Sequence, residues 1–219
     1  MAVICILYGQ SGTGKSSSMR NFKKGEVSVV NVTNKPLPFR ADFAVATSKN
    51  YEQITKALKK SESKSIIIDD STYLLVDEYM RKSAEKGFDK FVQLANNFYN
   101  LLNFCTNELD NDKIVYFIGQ SEVHEDGREH FRTVGKMLDS LVCIEGLSTI
   151  VLKSVVKDGR YCFSTKNNGF DTVKTPLGMF SAEEEFIDND LKAVDSRIRQ
   201  FWNMSKNDIP ANKIQKAKE

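Results

Sequence analysis

No run in the 219-residue chain approaches the roughly 18 consecutive apolar residues that a membrane-spanning helix needs. No basic segment precedes the first apolar stretch, as a secretory leader would require. Residues 1–8 therefore read as a core strand, and no membrane partner is expected. Cysteine is sparse: Cys5, Cys105, Cys143 and Cys162 are widely spaced, form no C-x-x-C pair and lie in or beside apolar runs. That pattern suits buried free thiols in a reducing compartment and predicts a cytoplasmic protein. An excess of one charge is lacking as well. The 31 basic residues face 29 acidic ones, for a net charge of +2, so composition alone demands no nucleic acid, and any such binding has to come from local patches or from assembly. No internal repeat points to a solenoid, and no Ser/His/Asp or Cys/His arrangement supports covalent catalysis.

What is present is 41% hydrophobic and 27% charged residues, enough for one sizeable core. The expectation is a single domain over residues 1–202 and a polar, Lys-rich, loosely ordered tail at 203–219 that has no apolar periodicity. Short apolar strands at 3–8, 27–32, 66–70 and 114–118 alternate with helical patterns at 51–58 and 72–109, the latter interrupted at Gly87. Phe91, Leu94, Ala95, Phe98, Leu101, Leu102 and Cys105 form one stripe, read as core packing. Two prolines mark 31–38 as the loop leaving the second strand. Late in the chain, Lys157-Asp158-Gly159 separates two β-rich runs, a hairpin signal, and residues 187–202 read as an amphipathic helix. Together these predict an α/β fold with a mostly parallel sheet flanked by helices and a C-terminal antiparallel hairpin.

One motif points to chemistry. Gly9, Gln10, Ser11, Gly12, Thr13, Gly14, Lys15 and Ser16 match G-x-x-x-x-G-K-[ST] at every fixed position, directly after the apolar run 3–8 and before a helix-compatible segment at 15–24. Glycines let the backbone turn its N–H groups inward, a helix starting near Lys15 would add its dipole, and Ser17 extends the cradle. Lys15 then reaches the β- and γ-phosphates of a nucleotide, and the Ser16 hydroxyl ligates Mg²⁺. Asp69 ends a buried strand about 50 residues later, where a carboxylate holds that metal through water. Asp70 beside it either polarises the attacking water or caps the following helix.

Gln120 follows the 114–118 strand, whose end belongs at the same sheet edge as Asp69 and the P-loop. It is either a γ-phosphate sensor or a turn residue, and Glu122 is a second candidate base. Asn34-Lys35-Pro36-Leu37 resembles half of the guanine-reading N-K-x-D motif but has Leu37 where the base-binding aspartate belongs, which disfavours GTP. His124, Glu125, Glu129 and His130 flank Asp126-Gly127 and read as a solvated hairpin tip rather than a metal site. Arg132, Lys136 and the loop 166–174, with Lys174, are either ordinary solvated cations or groups presented to a neighbour's nucleotide or to a DNA phosphate.

With the P-loop, residues 66–70, 133–139, 145–152, 168–180 and 187–191 in hand, the chain resembles bacteriophage P-loop ATPases of the RecA-like, ATP-binding Sak class of single-strand annealing proteins, over about residues 3–202. The resemblance implies a RecA-like core that binds ATP and Mg²⁺, binds single-stranded DNA and assists annealing or recombination in the host cytoplasm. It also implies a single-strand-binding protein as companion and a homo-oligomer. By position it casts Lys15 and Ser16 as phosphate and metal ligands, Asp69 as the metal-holding acid, Gln120 as sensor, and Lys136 or Lys174 as a trans-acting cation. The chain departs from full RecA in being short, which leaves filament formation open. Two other functions share the P-loop: a nucleotide-dependent protein-interaction switch with negligible hydrolysis, and a phosphotransferase acting on a nucleotide or another small acceptor.

Overall fold

The computed structural model describes residues 1–134 and 143–204. Strand β1 (Val3–Gly9) leads into a loop and a short 3-10 helix (Ser16–Asn21). After β2 (Val27–Asn31) and β3 (Ala44–Thr47) come α1 (Tyr51–Lys60) and β4 (Ser65–Asp69). Helices α2 (Thr72–Arg81) and α3 (Asp89–Glu108) follow, on either side of Gly87. A hairpin of β5 (Ile114–Val123) and β6 (Glu129–Phe131) precedes β7 (Ile150–Lys157), β8 (Arg160–Ser164), β9 (Phe186–Asp188) and the last helix, α4 (Leu191–Phe201).

The expected α/β architecture is present. Strands run in the order β3-β2-β4-β5-β1-β7-β8-β9, with β6 paired to β5. All pairings from β3 to β7 are parallel, and those of β7 with β8, β8 with β9 and β5 with β6 are antiparallel. The central strands read as unbroken apolar runs because both of their faces are covered. Alternate residues supply the two cores: Ile4, Ile6 and Tyr8 join Leu74, Phe98 and Leu101 under α2 and α3, whereas Cys5 and Leu7 join Met19, Phe22, Val194 and Ile198 from the 3-10 helix and α4. Among the described residues no helix is long and apolar enough to cross a membrane.

Several boundaries differ from the sequence reading. The segment after the P-loop forms a 3-10 helix rather than an α-helix. Ser18 Oγ donates to the Lys15 carbonyl (2.5 Å) and Arg20 to the Ser17 carbonyl (3.1 Å), acceptors that an α-helix would give to the amides of residues 19 and 21. The 114–118 strand continues to Val123 because β6 pairs with its far end. Ile187 belongs to β9, and α4 starts only after Asp190, whose carboxylate accepts from the N–H groups of Lys192 and Ala193 as an N-cap. Of the four free thiols only Cys5 and Cys105 are buried; Cys162 is half-buried and Cys143 is exposed. The tail is described only through Met204, so the expected loose order of residues 205–219 lies outside the described residues, as does Lys136.

Candidate functional site

Sheet register gathers the motif residues. Gly9 at the end of β1 pairs with Gln120 on β5, and Asp69 at the end of β4 pairs with Asn31 on β2. Because β5 lies between β1 and β4, Gln120 stands between the P-loop and the Asp69 strand. Parallel strands put these carboxyl-terminal ends on one edge of the sheet. There they border a cleft of about 1090 Å³ lined by Ser11, Gly12, Gly14, Lys15, Ser16, Ser17, Asp69, Asp70 and Gln120.

The P-loop is shaped by its packing. Gly14 has φ of +87°, a left-handed conformation that costs other residues dearly, and a Cβ there would lie 3.0 Å from the Tyr161 ring and 3.3 Å from the Asn189 amide. At Gly9 a Cβ would overlap the Ser154 carbonyl oxygen, so β1 can lie this close to β7 only without a side chain. Ser154 Oγ donates to the Thr13 carbonyl (2.7 Å), and Thr13 Oγ1 donates to the Gln10 carbonyl (2.9 Å), closing the loop on itself. From the other side, Arg20 donates to the Asn189 carbonyl (2.7 Å) and Asn21 to the Asp190 carboxylate (2.8 Å).

Lys15 is 6% exposed. Its ammonium donates to the carbonyls of Gly9 and Gln10, both at 2.7 Å, and to Gln120 Oε1 at 3.3 Å. Burial lowers its pKa to about 8, against the opposing pull of Asp70, Asp69 and Glu129. Ser16 Oγ donates to Asp69 Oδ1 at 3.1 Å. Burial, followed by the charge of Asp70, raises the Asp69 carboxyl to about 6; the Ser16 hydroxyl, the Asp70 backbone N–H and Lys15 only partly offset it. A buried carboxylate next to a hydroxyl, short of positive charge, is a hard-oxygen pair of the kind Mg²⁺ prefers. Among the described residues no group of three or more His, Cys, Asp or Glu could hold a metal, so Mg²⁺ bound by Ser16 and Asp69 would take its remaining ligands from phosphate and water, as this ion commonly does.

The other predicted residues separate. Asp70 lines the cleft; α2 has no side-chain cap, and the Asp70 carboxylate instead accepts from Thr33 Oγ1 at 2.9 Å. Glu122 does not line the cleft: its carboxylate accepts from the Thr133 N–H (3.3 Å) and lies 3.6 Å from His124 Nε2. Lys174 lies beside the start of β7, exchanging backbone hydrogen bonds with Val151 (2.8 and 3.0 Å), and is not among the cleft residues. Arg132 binds through its backbone N–H to the Gln120 carbonyl (2.8 Å). His124 and His130 stack at 4.3 Å on the β5–β6 hairpin around the Asp126-Gly127 turn; Glu125 is exposed, whereas Glu129 and His130 are half-buried and Glu129 pairs with Lys153.

Sequence reasoning missed both flanks of the cleft. One is the loop after β2, contributing Asn31, Thr33, Lys35, Pro36, Leu37 and Pro38; the other contains Arg160 and Tyr161 at the β7–β8 turn with Asp188 to Asp190. The prolines at 36 and 38, a few residues past the end of β2, were the available signal, since they place a loop at the C-terminal edge. Setting aside Asn34-Lys35 as a guanine motif hid its position. Comparison with protein-family models returns no match, and comparison with curated proteins returns none either, so the chemistry of this cleft is read from its own residues.

Proposed function

We propose that this chain is a Mg²⁺-dependent ATPase with a RecA-like core. The observation that carries the reading is the meeting of Lys15, the Ser16–Asp69 pair and Gln120 in one cleft, with Lys15 hydrogen-bonded to Gln120 across two strands. Lys15 and the loop amides hold the triphosphate, Gln120 lies where the terminal phosphate arrives, and Asp70 is the carboxylate placed to take a proton from the attacking water. Mg²⁺, held by Ser16 and Asp69, supplies neutralisation of charge on the phosphate oxygens.

The resemblance to phage annealing proteins extends the proposal to ATP-coupled binding of single-stranded DNA, in annealing or recombination, by a homo-oligomer working with a single-strand-binding protein in the host cytoplasm. What supports this part is surface chemistry. Phe170, on the loop 166–174, is 68% exposed, and an exposed ring between Lys166 and Lys174 suits a stacked base with its phosphates. Turnover of ATP by wild type and Lys15→Ala, with and without single-stranded DNA, tests both parts. Loss of turnover in Lys15→Ala and stimulation by DNA are expected; equal turnover in the two proteins removes the ATPase reading, and indifference to DNA removes the coupling.

A further inference from the structure

We propose that the loop leaving β2 reads the third phosphate: Thr33 positions the Asp70 carboxylate, and Lys35 is shared between that carboxylate and the phosphate. The inference rests on the cleft being a nucleoside-triphosphate site. It starts from the backbone of Asp70, which has φ of +58°, a conformation uncommon for residues other than glycine. The next residue locks this bend, because the Ser71 N–H (2.7 Å) and Oγ (2.9 Å) both donate to the Ile118 carbonyl on β5. The Asp70 side chain is thereby turned away from the start of α2 and borders the cleft.

Two groups from one loop meet it. Thr33 Oγ1 donates to Asp70 Oδ2 at 2.9 Å, and Lys35 Nζ lies 3.6 Å from the same oxygen. The loop is folded back over the end of β4 by the Val32 N–H donating to the Asp69 carbonyl (3.2 Å) and by Asn31 Nδ2 donating to the Lys35 carbonyl (2.6 Å). These partners differ in kind. Thr33 is short and its bond is well formed, so it fixes the carboxylate. The Lys35 side chain is 65% exposed and lies 5.1 Å from the Tyr73 ring centroid, a solvated cation in a loose pair that exchanges partners at little cost.

A terminal phosphate entering beside Lys15 brings more negative charge than one carboxylate and draws Lys35 toward it; a diphosphate does not. Asp70 then keeps Thr33 as its hydrogen-bond donor. As the water oxygen bonds to the terminal phosphorus, Asp70 takes one water proton, the bond to the bridging oxygen breaks with its electron pair left on ADP, and the proton later passes to solvent. Lys35 thus supplies in cis a cation that the sequence reading sought in Lys136 or Lys174.

The test is calorimetric affinity for ADP and for a slowly hydrolysed ATP analogue, both with Mg²⁺, together with kcat, on wild type, Lys35→Ala, Lys35→Arg, Thr33→Val and Thr33→Ser. Lys35→Ala is expected to weaken the analogue about tenfold, the equivalent of one exchanged ion pair, and to leave ADP unchanged, with Lys35→Arg restoring the preference. Thr33→Val is expected to leave both affinities alone and lower kcat at least about tenfold, with Thr33→Ser restoring it. An unchanged analogue-to-ADP ratio in Lys35→Ala overturns the role of Lys35. Equal turnover in Thr33→Val and wild type, or failure of the serine variant to restore it, overturns that of Thr33. A wild type that binds neither nucleotide removes the triphosphate reading and this inference with it; a wild type that binds both while every loop variant behaves like it removes the inference alone.

Discussion

Asp69→Asn should stabilise the metal-free fold while abolishing function. The Asp69 carboxyl is raised from its ordinary 3.8 to about 6, chiefly by burial. At 1.36 kcal/mol per pKa unit, keeping the charge in the folded state costs about 3 kcal/mol. The sign follows from the direction of the shift: a carboxyl held above its unfolded value adds stability in full below the unfolded pKa and loses it as pH rises through about 6. At pH 8 the wild type therefore bears the whole cost and the amide variant none, since Ser16 Oγ can still donate to the retained oxygen. Near pH 4 the wild-type carboxyl is neutral in the fold and the two proteins converge. Melting both in EDTA without nucleotide checks this, at roughly 2–4 °C per kcal/mol for a chain of this size. A variant no more stable than wild type at pH 8, or one whose advantage is the same at pH 4, would refute the claim that desolvation of this charge dominates the site.

Three further predictions follow from contacts around the cleft and beneath it. Ser154→Ala removes the donor to the Thr13 carbonyl and should lower stability by about 1 kcal/mol and weaken ATP analogue binding several-fold; unchanged affinity would show that the loop holds its shape unaided. Gly9→Ala forces a Cβ onto the Ser154 carbonyl of β7 and should destabilise by roughly 1–3 kcal/mol, read in urea titrations as a lower midpoint. Arg199→Ala strips the charged partner, held through Nε at 2.7 Å, from Asp195, which is 2% exposed and would keep only the Ser65 and Tyr116 hydroxyls as donors. Breaking such a buried pair should cost about 3–5 kcal/mol while leaving nucleotide affinity of the folded protein intact, because the pair ties α4 to the Lys64 and Asp112 carbonyls at the opposite end of the strands.

The parallel sheet and the glycine-rich turn at its edge were legible because they rest on local signals. The run from Val3 to Gly9 and the Ser65–Asp69 strand are apolar on both faces, and the P-loop spacing fixes which residues turn inward. Gln120 was legible from position, since any strand entering the sheet parallel to β1 ends at the same edge. The character of the segment after Lys15 was not, because serine side chains compete with the backbone for carbonyls in a way that periodicity does not register. Nor was the Asp70 environment: Thr33 and Lys35 lie more than 30 residues away in sequence and reach it only because β2 pairs with β4. Glu122 failed for the related reason that β5 runs on past the cleft into its own hairpin.

On the proposed ATPase reading, burial of two opposite charges in one cleft also sets the pH range in which the site takes its ligand. Below about 6 Asp69 is protonated in the free protein and offers a metal no charge; above about 8 Lys15 is neutral and offers a phosphate none. Each shift runs against the ligand-competent form, since burial raises the acid and lowers the base, and only a ligand that returns charge to both reverses it. Affinity for Mg²⁺ with an ATP analogue should therefore plateau between these limits and fall about tenfold per pH unit outside them. Binding should take up a proton above pH 8, as Lys15 is recharged, and release one below pH 6, as Asp69 is deprotonated, both measurable by calorimetry in buffers of different ionisation enthalpy. In Lys15→Met the alkaline fall should disappear while the acid one remains. A decline that persists above pH 8 in that variant would assign it to another group and break the link between burial of Lys15 and phosphate binding.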